Sequence, residues 1–191
     1  MKRIAAVFCC LSFSSILLGQ TKVYTSLEDA MSAPIDSVVY LDLSKQKLTE
    51  FPEEILNFIH LKSLNLSKNK LTVIPQEINE LTQLKSINLE KNNLVYFPVG
   101  ICALGGLEIL NLGRNNIGLI PQCIGQLLSL KSFDIWDNPI SDLPNNIQHL
   151  KSLEVMDLRG INFSSSKKKQ ISGLLPWVKI EFSAGCDCHG P

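Results

Sequence analysis

The chain has 191 residues, of which 45% are hydrophobic, and its 18 basic residues balance its 18 acidic ones. The length suits one domain, and the balanced charge excludes partners held by bulk electrostatics, such as nucleic acids and anionic membranes. Enzymatic chemistry finds little support, because G-x-S-x-G, H-E-x-x-H and phosphate-cradling glycine motifs are absent from the sequence.

Residues 1–19 have the composition of a secretory signal peptide. Lys2 and Arg3 precede an apolar run over residues 4–18 that is broken only by serines. The run is shorter than the roughly 20 apolar residues of a membrane-spanning helix. We therefore expect cleavage after Gly19, export to the periplasm, the cell surface or the medium, and no transmembrane segment in the mature chain. An uncleaved N-terminal anchor is the alternative.

Residues 20–37 predict one short helix. Thr25 or Ser26 is typical of a helix N-cap, the next residues offer two carboxylates and an apolar side, and Pro34 ends the helix. We expect this segment to be an N-terminal cap that covers the apolar edge of the region that follows.

Residues 38–163 repeat a single pattern with a period of 23 residues. The clearest copy places apolar residues, one asparagine and one proline in a fixed order: Leu61, Leu64, Leu66, Asn69, Leu71, Pro75, Ile78 and Leu81. We call the copies coils 1 to 5, and they begin at Val38, Leu61, Leu84, Leu107 and Leu130. Five copies in phase indicate a solenoid of stacked coils.

Each part of the pattern has a physical role. Leu64 and Leu66 alternate with polar residues, which predicts a short strand with one buried face. The asparagine, which is replaced by Gln46 in coil 1, carries donors and an acceptor for the backbone of neighbouring coils. Proline favours a helical or 3₁₀ return. Stacking then creates one core, with a parallel sheet on the concave wall.

The pattern decays after coil 5. A sixth, degenerate copy begins at Leu153, with Ile161 at the asparagine position and Lys167 at the proline position. Residues 164–182 predict a C-terminal cap that consists of a helix over about 166–175 and a last strand. That strand is marked by Trp177, Ile180 and Phe182. Residues 183–191 are polar and predict a flexible tail.

The spacing L-x-x-L-x-L-x-x-N-x-L, followed by P-x-x-I-x-x-L, resembles the leucine-rich repeat family in the 23-residue form common in bacterial surface proteins. The resemblance covers residues 38–163. It implies a curved α/β repeat solenoid with a parallel concave sheet and helical or 3₁₀ convex returns, capped at both ends. Some similar bacterial proteins carry an appended catalytic domain, for which the 28 residues after Phe163 are too few.

Four of the six cysteines lie outside the predicted signal peptide. Cys102 and Cys123 flank the buried isoleucine of neighbouring returns, and we favour two semi-buried thiols over a disulfide. Cys186, Cys188 and His189 are weak candidates for a zinc or copper site. An exposed thiol pair is the favoured interpretation, because a closed structural site normally needs four ligands. We therefore expect no metal and no cofactor.

The outward strand positions of the concave face are the candidate binding site. Coils 1 to 3 present small residues and lysines there, whereas coils 4 to 6 present residue types that anchor interfaces. The candidates are Ile109, Arg114, Asp134, Trp136, Val155 and Arg159. The alternative for Trp136 is a structural one, in which its ring covers a neighbouring strand or packs against the cap.

These observations favour a non-catalytic binding module that holds a protein partner on its concave face. A glycan-binding surface protein is an alternative, because a central column of Asp and Asn residues and one tryptophan are suited to sugars. A structural protein of the bacterial cell envelope with no discrete ligand is the other alternative. The fold alone does not choose among them.

Overall fold

The computed structural model describes residues 22–183. The predicted signal peptide and most of the predicted tail, including Cys186, Cys188 and His189, lie outside these residues. None of the helices within residues 22–183 combines the length and the apolar character needed to span a membrane.

Eight parallel strands form one open, curved sheet whose strand order follows the chain. The strands are β1 Val23–Tyr24, β2 Tyr40–Asp42, β3 Ser63–Asn65, β4 Ser86–Asn88, β5 Ile109–Asn111, β6 Ser132–Asp134, β7 Val155–Leu158 and β8 Lys179–Phe182. Equivalent residues of successive coils pair with each other, as Leu64 of β3 does with Ile87 of β4. The predicted solenoid with a parallel sheet is therefore confirmed.

The returns between the strands are 3₁₀ helices, each preceded by the proline of the pattern. They span Glu53–Asn57, Gln76–Glu80, Val99–Ala103, Gln122–Gln126 and Asn145–His149. The fixed φ of proline favours the start of each helix. A hydrogen bond closes the other end of the helix, as where the Leu81 amide donates to the Ile78 carbonyl at 3.2 Å. Of the two predicted return types, the 3₁₀ helix is the one that forms in all five coils.

One continuous apolar cluster runs through all the coils. Leu64, Leu66 and Ile78 are at most 1% exposed, as the pattern predicts. A further core position, directly before each proline, was not part of the predicted pattern. It is buried in every full coil, where it is filled by Phe51, Ile74, Phe97, Ile120 and Leu143.

The asparagines form the predicted ladder between coils. Asn92 donates from Nδ2 to the carbonyls of Leu66 and Leu89, both at 3.0 Å, and its Oδ1 accepts from the Leu71 amide at 3.0 Å. Asn69, Asn115 and Asn138 make the equivalent contacts. Gln46 of coil 1 contacts only the Thr25 carbonyl, at 3.3 Å. Each buried amide therefore satisfies backbone groups of two coils.

The residue before each asparagine adopts a left-handed backbone conformation. Lys45, Lys68, Lys91, Arg114 and Asp137 have φ between 54° and 62°, and Gly160 has φ 76°. Each of the five amides before Gly160 donates to the next coil, as Lys68 does to the Glu90 carbonyl at 2.7 Å. Left-handed lysine and arginine are uncommon, and the inter-coil hydrogen bonds hold the turn in place.

At the N-terminal end, β1 extends the sheet beyond β2, and α1 spans Leu27–Met31. Ser26 is the N-cap and accepts a hydrogen bond from the Asp29 amide at 3.4 Å. A 3₁₀ helix, Ile35–Ser37, leads into β2. Ala30 is fully buried, so α1 packs on the core of the first coil. The role of this segment as a cap stays a prediction.

At the C-terminal end, α2 spans Ser165–Leu174, one residue earlier than the predicted helix. Ile171 of α2 is buried, and β8 extends the sheet beyond β7. Trp177 lies before β8 rather than in it, is 42% exposed and has the Lys151 ammonium 4.1 Å from its ring centroid. The prediction that Trp177 belongs to the last strand is therefore wrong, because the strand begins at Lys179.

Cys102 and Cys123 are joined by a disulfide, with their Cα atoms 5.7 Å apart. The interpretation favoured from the sequence, two separate thiols, is therefore wrong. The 3₁₀ returns Val99–Ala103 and Gln122–Gln126 run side by side, and this brings the two cysteines together although they differ by two positions within the repeat. The repeat pattern gives the position of each cysteine within its coil, but it does not show how far neighbouring returns are displaced relative to each other.

Candidate functional site

The six candidate residues lie on β5 to β7 and on the turns that follow these strands. Ile109 and Val155 both pair with Ser132, which separates them in the sheet. Their side chains flank this small residue, and Val155 is exposed whereas Ile109 is half-buried. Arg114, Trp136 and Arg159 lie in the turns that follow β5, β6 and β7.

Trp136 is half-buried and lies against Gly113 of the preceding coil. A Cβ atom on Gly113 would collide with the Cδ1 and Nε1 atoms of the indole, so the ring needs a glycine beneath it. The Arg114 guanidinium lies 4.7 Å from the centre of the ring, in a cation–π contact. The ring therefore covers a neighbouring coil, as the structural alternative predicted, while part of it stays accessible to a partner.

Arg114 is held from a second side by Asp137. Its Nε donates to Asp137 Oδ2 at 3.2 Å, and both side chains are about half exposed. Such an exposed ion pair adds little to stability. Its effect is on geometry, because the ring of Trp136 and the carboxylate together limit the rotamers of Arg114.

The central column of the concave face is more buried than an outward polar stripe was expected to be. Asn88, Asn111, Asp134 and Asp157 are at most 9% exposed. Each side chain also accepts a hydrogen bond from the amide two residues later, as Asp134 Oδ1 does from Trp136 at 3.2 Å. Neighbouring strands lie about 4.8 Å apart, so these side chains crowd one another. Asp134 thus supports the backbone at Trp136.

Burial raises the pKa of Asp134 from 3.8 to about 7. The Trp136 amide lowers the pKa, while the carboxylates of Asp157 and Glu90 raise it further. Asp134 and Asp157 are paired residues of adjacent strands, which explains their mutual repulsion. Because this pKa is about 7, Asp134 binds a proton as the pH falls through neutrality, and the proton relieves the repulsion.

Arg159 is bound by acidic neighbours. Its Nε donates to both oxygens of Asp157, at 2.9 and 3.0 Å, and its Nη2 also contacts Asp157. Glu181 Oε2 of β8 lies 3.5 Å from the same Nε. The hydrogen bond with Asp157 raises the pKa of Arg159, so the side chain is a fixed cation between two carboxylates. Glu181 was missed in the sequence because β8 lies outside the repeat.

A second surface was also missed in the sequence. Val73, Tyr96 and Leu119 are 64%, 80% and 70% exposed and occupy the same position in coils 2, 3 and 4. They lie between the asparagine and the proline, away from the concave strands. The signal was available, because this position alternates with the buried residue before proline and therefore points outward.

Within residues 22–183, no group of three or more histidine, cysteine and acidic side chains is arranged to hold a metal ion. The weak metal candidates Cys186, Cys188 and His189 lie outside that range.

Solved structures similar to this chain include a leucine-rich repeat protein of Leptospira interrogans, with 30% identity and a TM-score of 0.64 over 77% of this chain and 43% of that one. A plant peptide hormone receptor, RGFR1 in complex with RGF2, has 33% identity and a TM-score of 0.65 over 77% of this chain and 24% of the receptor. Internalin C2 of Listeria monocytogenes shares the fold, with 20% identity and a TM-score of 0.66 over 77% of this chain and 62% of the internalin.

The chain spans less than two thirds of each of these three proteins. No curated protein matches the sequence. Family patterns described as leucine rich repeat match residues 36–94, 106–127 and 129–150, which together make up more than half of the chain. Proteins of this family and fold are typically non-catalytic binding scaffolds. The period, the asparagine ladder, the parallel sheet and these matches agree that the chain belongs to the leucine-rich repeat family.

Proposed function

We propose that this protein is a non-catalytic binding module that holds a protein partner on the C-terminal half of its concave face. The observation that carries the proposal is the stack of Arg114 on Trp136, which in turn lies on Gly113. Tryptophan and arginine are the residue types that most often dominate the energy of protein interfaces. The family supports a binding role in general terms, and the plant receptor similar to this chain was solved with RGF2 bound.

The stack is suited to binding because it is already ordered. Immobilising a flexible side chain at an interface costs about 0.5–1.5 kcal/mol. Arg114 is held by the indole and by Asp137 before any partner arrives. Its remaining donors are therefore presented at low entropic cost, beside the accessible part of the Trp136 ring.

The other candidates have supporting roles in this proposal. Ile109 and Val155 offer two apolar contacts on either side of Ser132. Arg159 offers a cation whose charge is partly balanced by Asp157 and Glu181, so we expect it to contribute less than Trp136.

We also propose that the protein acts after export. The predicted signal peptide over residues 1–19 favours this location. The disulfide between Cys102 and Cys123 adds support, because such bonds persist in oxidising compartments.

A glycan-binding function is less well supported. That alternative depended on free polar groups in the central column, and these side chains are buried and hydrogen-bonded to the backbone. A purely structural role predicts that affinity capture recovers no specific partner, and this outcome separates it from the proposal.

The test is affinity capture with the full chain as bait, followed by measurement of the dissociation constant for the captured protein. We expect Trp136→Ala to weaken the complex by about 2 kcal/mol, or about 30-fold, with Arg159→Ala next. Trp177→Ala is the matched control, because it removes an exposed tryptophan away from the concave coils. Equal affinities for the Trp136 variant and the wild type, with both folded by circular dichroism, would contradict the proposal.

A further inference from the structure

The flank of the solenoid carries a row of exposed apolar side chains that the concave-face proposal does not use. We call Val73, Tyr96 and Leu119 the apolar column. The segments that carry them lie side by side, since the Asn93 amide donates to the Leu71 carbonyl at 2.9 Å and the Asn116 amide to the Leu94 carbonyl at 2.8 Å. Exposed apolar residues that are scattered singly need no explanation, but a contiguous row marks an interaction surface.

The fold does not require the apolar column. The residue directly after each member is the buried core residue, Ile74, Phe97 or Ile120. In coils 1 and 5 the same outward position holds Glu50 and Asp142, and those coils pack equally well on the core. The column is therefore bounded by a carboxylate at each end.

A cavity of about 200 Å³ opens within the column, and its lining includes Val73, Gln76, Tyr96 and Val99. Sites for drug-sized ligands are larger, about 300–1,000 Å³. The volume suits one apolar side chain of a bound polypeptide.

A group of lysines borders the column in coils 1 and 2. Lys45, Lys47, Lys68 and Lys70, which we call the lysine band, are all exposed. Lys45 and Lys68 occupy the repeat position of Arg114, in the turn that joins the concave strand to the flank. Within residues 22–183 none of the four forms an ion pair, whereas Lys85, Lys91, Lys131, Lys167 and Lys179 each contact a carboxylate. Lys70 precedes Val73 by only three residues, so the uncompensated charge adjoins the apolar column.

We propose that this flank is a second binding surface, which takes an acidic polypeptide segment bearing an apolar side chain. The apolar side chain occupies the cavity beside Tyr96, and carboxylates of the segment face the lysine band. Charge complementarity selects an acidic partner. The cavity, which has room for a single side chain, favours a polypeptide over a lipid bilayer.

The probe is a display library of random peptides, selected on the full chain and counter-selected on a Val73→Ser/Tyr96→Ser variant. We expect the peptides specific for the wild type to combine aspartate or glutamate with leucine, isoleucine or phenylalanine. A pool that binds both proteins equally, or a pool without acidic residues, would overturn the proposal.

The position of the bound peptide is then mapped by measuring its affinity for single variants by fluorescence anisotropy. Tyr96→Ser should weaken binding at least 10-fold, and Lys70→Gln should weaken it less while reducing its salt dependence. Leu128→Ser and Lys62→Gln are matched controls, because they change an exposed leucine and an exposed lysine outside the surface. Unchanged affinity for the Tyr96 variant, or an equal loss for the controls, would overturn the assignment.

Two further measurements distinguish this surface from the concave face and from a lipid-binding surface. Trp136→Ala should leave peptide affinity unchanged, so failure of the concave-face proposal and failure of this one are distinguishable. Vesicles of phosphatidylglycerol should not bind the full chain. Tyr96-dependent binding to such vesicles, without a selected peptide, would replace the proposed polypeptide with a lipid surface.

Discussion

The concave faces of coils 2 and 3 and of coils 5 and 6 share one backbone arrangement but differ in chemistry. In the first pair, the central column consists of Asn65 and Asn88, and in the second of Asp134 and Asp157. All four side chains accept a hydrogen bond from the amide two residues later, at 2.9 to 3.2 Å. The repeat therefore needs one acceptor oxygen at this position and leaves the other atom of the side chain free to vary.

That free atom changes the electrostatics of the face. Asn65 donates from Nδ2 to Asp42 of the preceding coil at 3.0 Å, so an amide beside a carboxylate gains a hydrogen bond. Asp134 has no such donor when ionised and faces Asp157 instead, with the raised pKa that follows. A substitution that preserves the turn thus creates a charged, partly compensated surface in coils 5 and 6 and leaves the central column of coils 2 and 3 neutral.

The disulfide lies where these two halves meet, between the returns of coils 3 and 4. Replacing both partners, with Cys102→Ala and Cys123→Ala, should lower the free energy of unfolding by about 3 kcal/mol, because the unfolded chain regains the freedom of a closed loop. Chemical denaturation with and without reductant measures the effect.

The double cysteine variant supplies its own control. Reductant should destabilise the wild type to the level of this variant and should leave the variant unchanged. A wild type that is insensitive to reductant would mean that the bond does not join the two halves in solution.

The asparagine ladder is common to both halves, so loss of one asparagine should lower the free energy of unfolding in either half. Asn92→Ala leaves the Leu71 amide without a partner and removes one of the two asparagine donors at each of the Leu66 and Leu89 carbonyls, at a cost of about 2 kcal/mol. The matched change at the edge, Gln46→Ala, removes one exposed hydrogen bond and should cost at most about 0.5 kcal/mol. Urea denaturation of the two variants compares them, and equal losses would contradict the ladder.

Asp134→Asn converts the C-terminal column to the N-terminal type. Because the folded-state pKa of Asp134 is raised to about 7, its contribution to stability is complete below pH 3.8 and is lost as the pH rises to 7 and above. The amide keeps the acceptor for Trp136 and adds a donor. We expect the variant to be at least about 1 kcal/mol more stable than the wild type at pH 8.

The pH dependence distinguishes this effect from a general change in packing. The stability difference between the two proteins should shrink as the pH falls from 8 to 4, when Asp134 becomes protonated. Thermal unfolding across this range measures the difference, and a gap that does not vary with pH would show that Asp134 is not the group that titrates. Asn111→Asp, the reverse change in coil 4, should introduce a dependence of the same sign.

The sequence predicted the features that depend on the period and on the backbone. The ladder of Asn69 and Asn92 follows from an amide repeated once per coil, and the parallel sheet follows from stacking. The left-handed turns were not predicted, because Lys68 and Lys91 carry no sign of a positive φ, which is imposed by hydrogen bonds to the next coil.

The candidate site was less predictable than the fold. The repeat pattern assigned Trp136 to coil 5 and Arg114 to coil 4. It did not predict that the indole ring lies over Gly113 or that the Arg114 guanidinium stacks on that ring. Both depend on side-chain rotamers and on the spacing of two coils. Glu181 was not predicted as a partner of Arg159, because β8 follows the last repeat and has no template phase.

The smallest expected effect is the energetic coupling between Arg114 and Trp136, for which the N-terminal coils have no equivalent. A double-mutant cycle with Arg114→Gln and Trp136→Leu should give a coupling of about 0.5 kcal/mol in the free energy of unfolding, as expected for a solvent-exposed cation–π pair. The equivalent cycle with Lys68→Gln and Glu90→Gln, in coils 2 and 3, should give none, since Glu90 contacts Lys91 instead. Equilibrium denaturation measures both cycles.

A coupling of zero for Arg114 and Trp136, with both single variants folded, would mean that the stack is not ordered before binding. The low entropic cost that supports the concave-face proposal would then be lost, even if Trp136 itself contacts the partner.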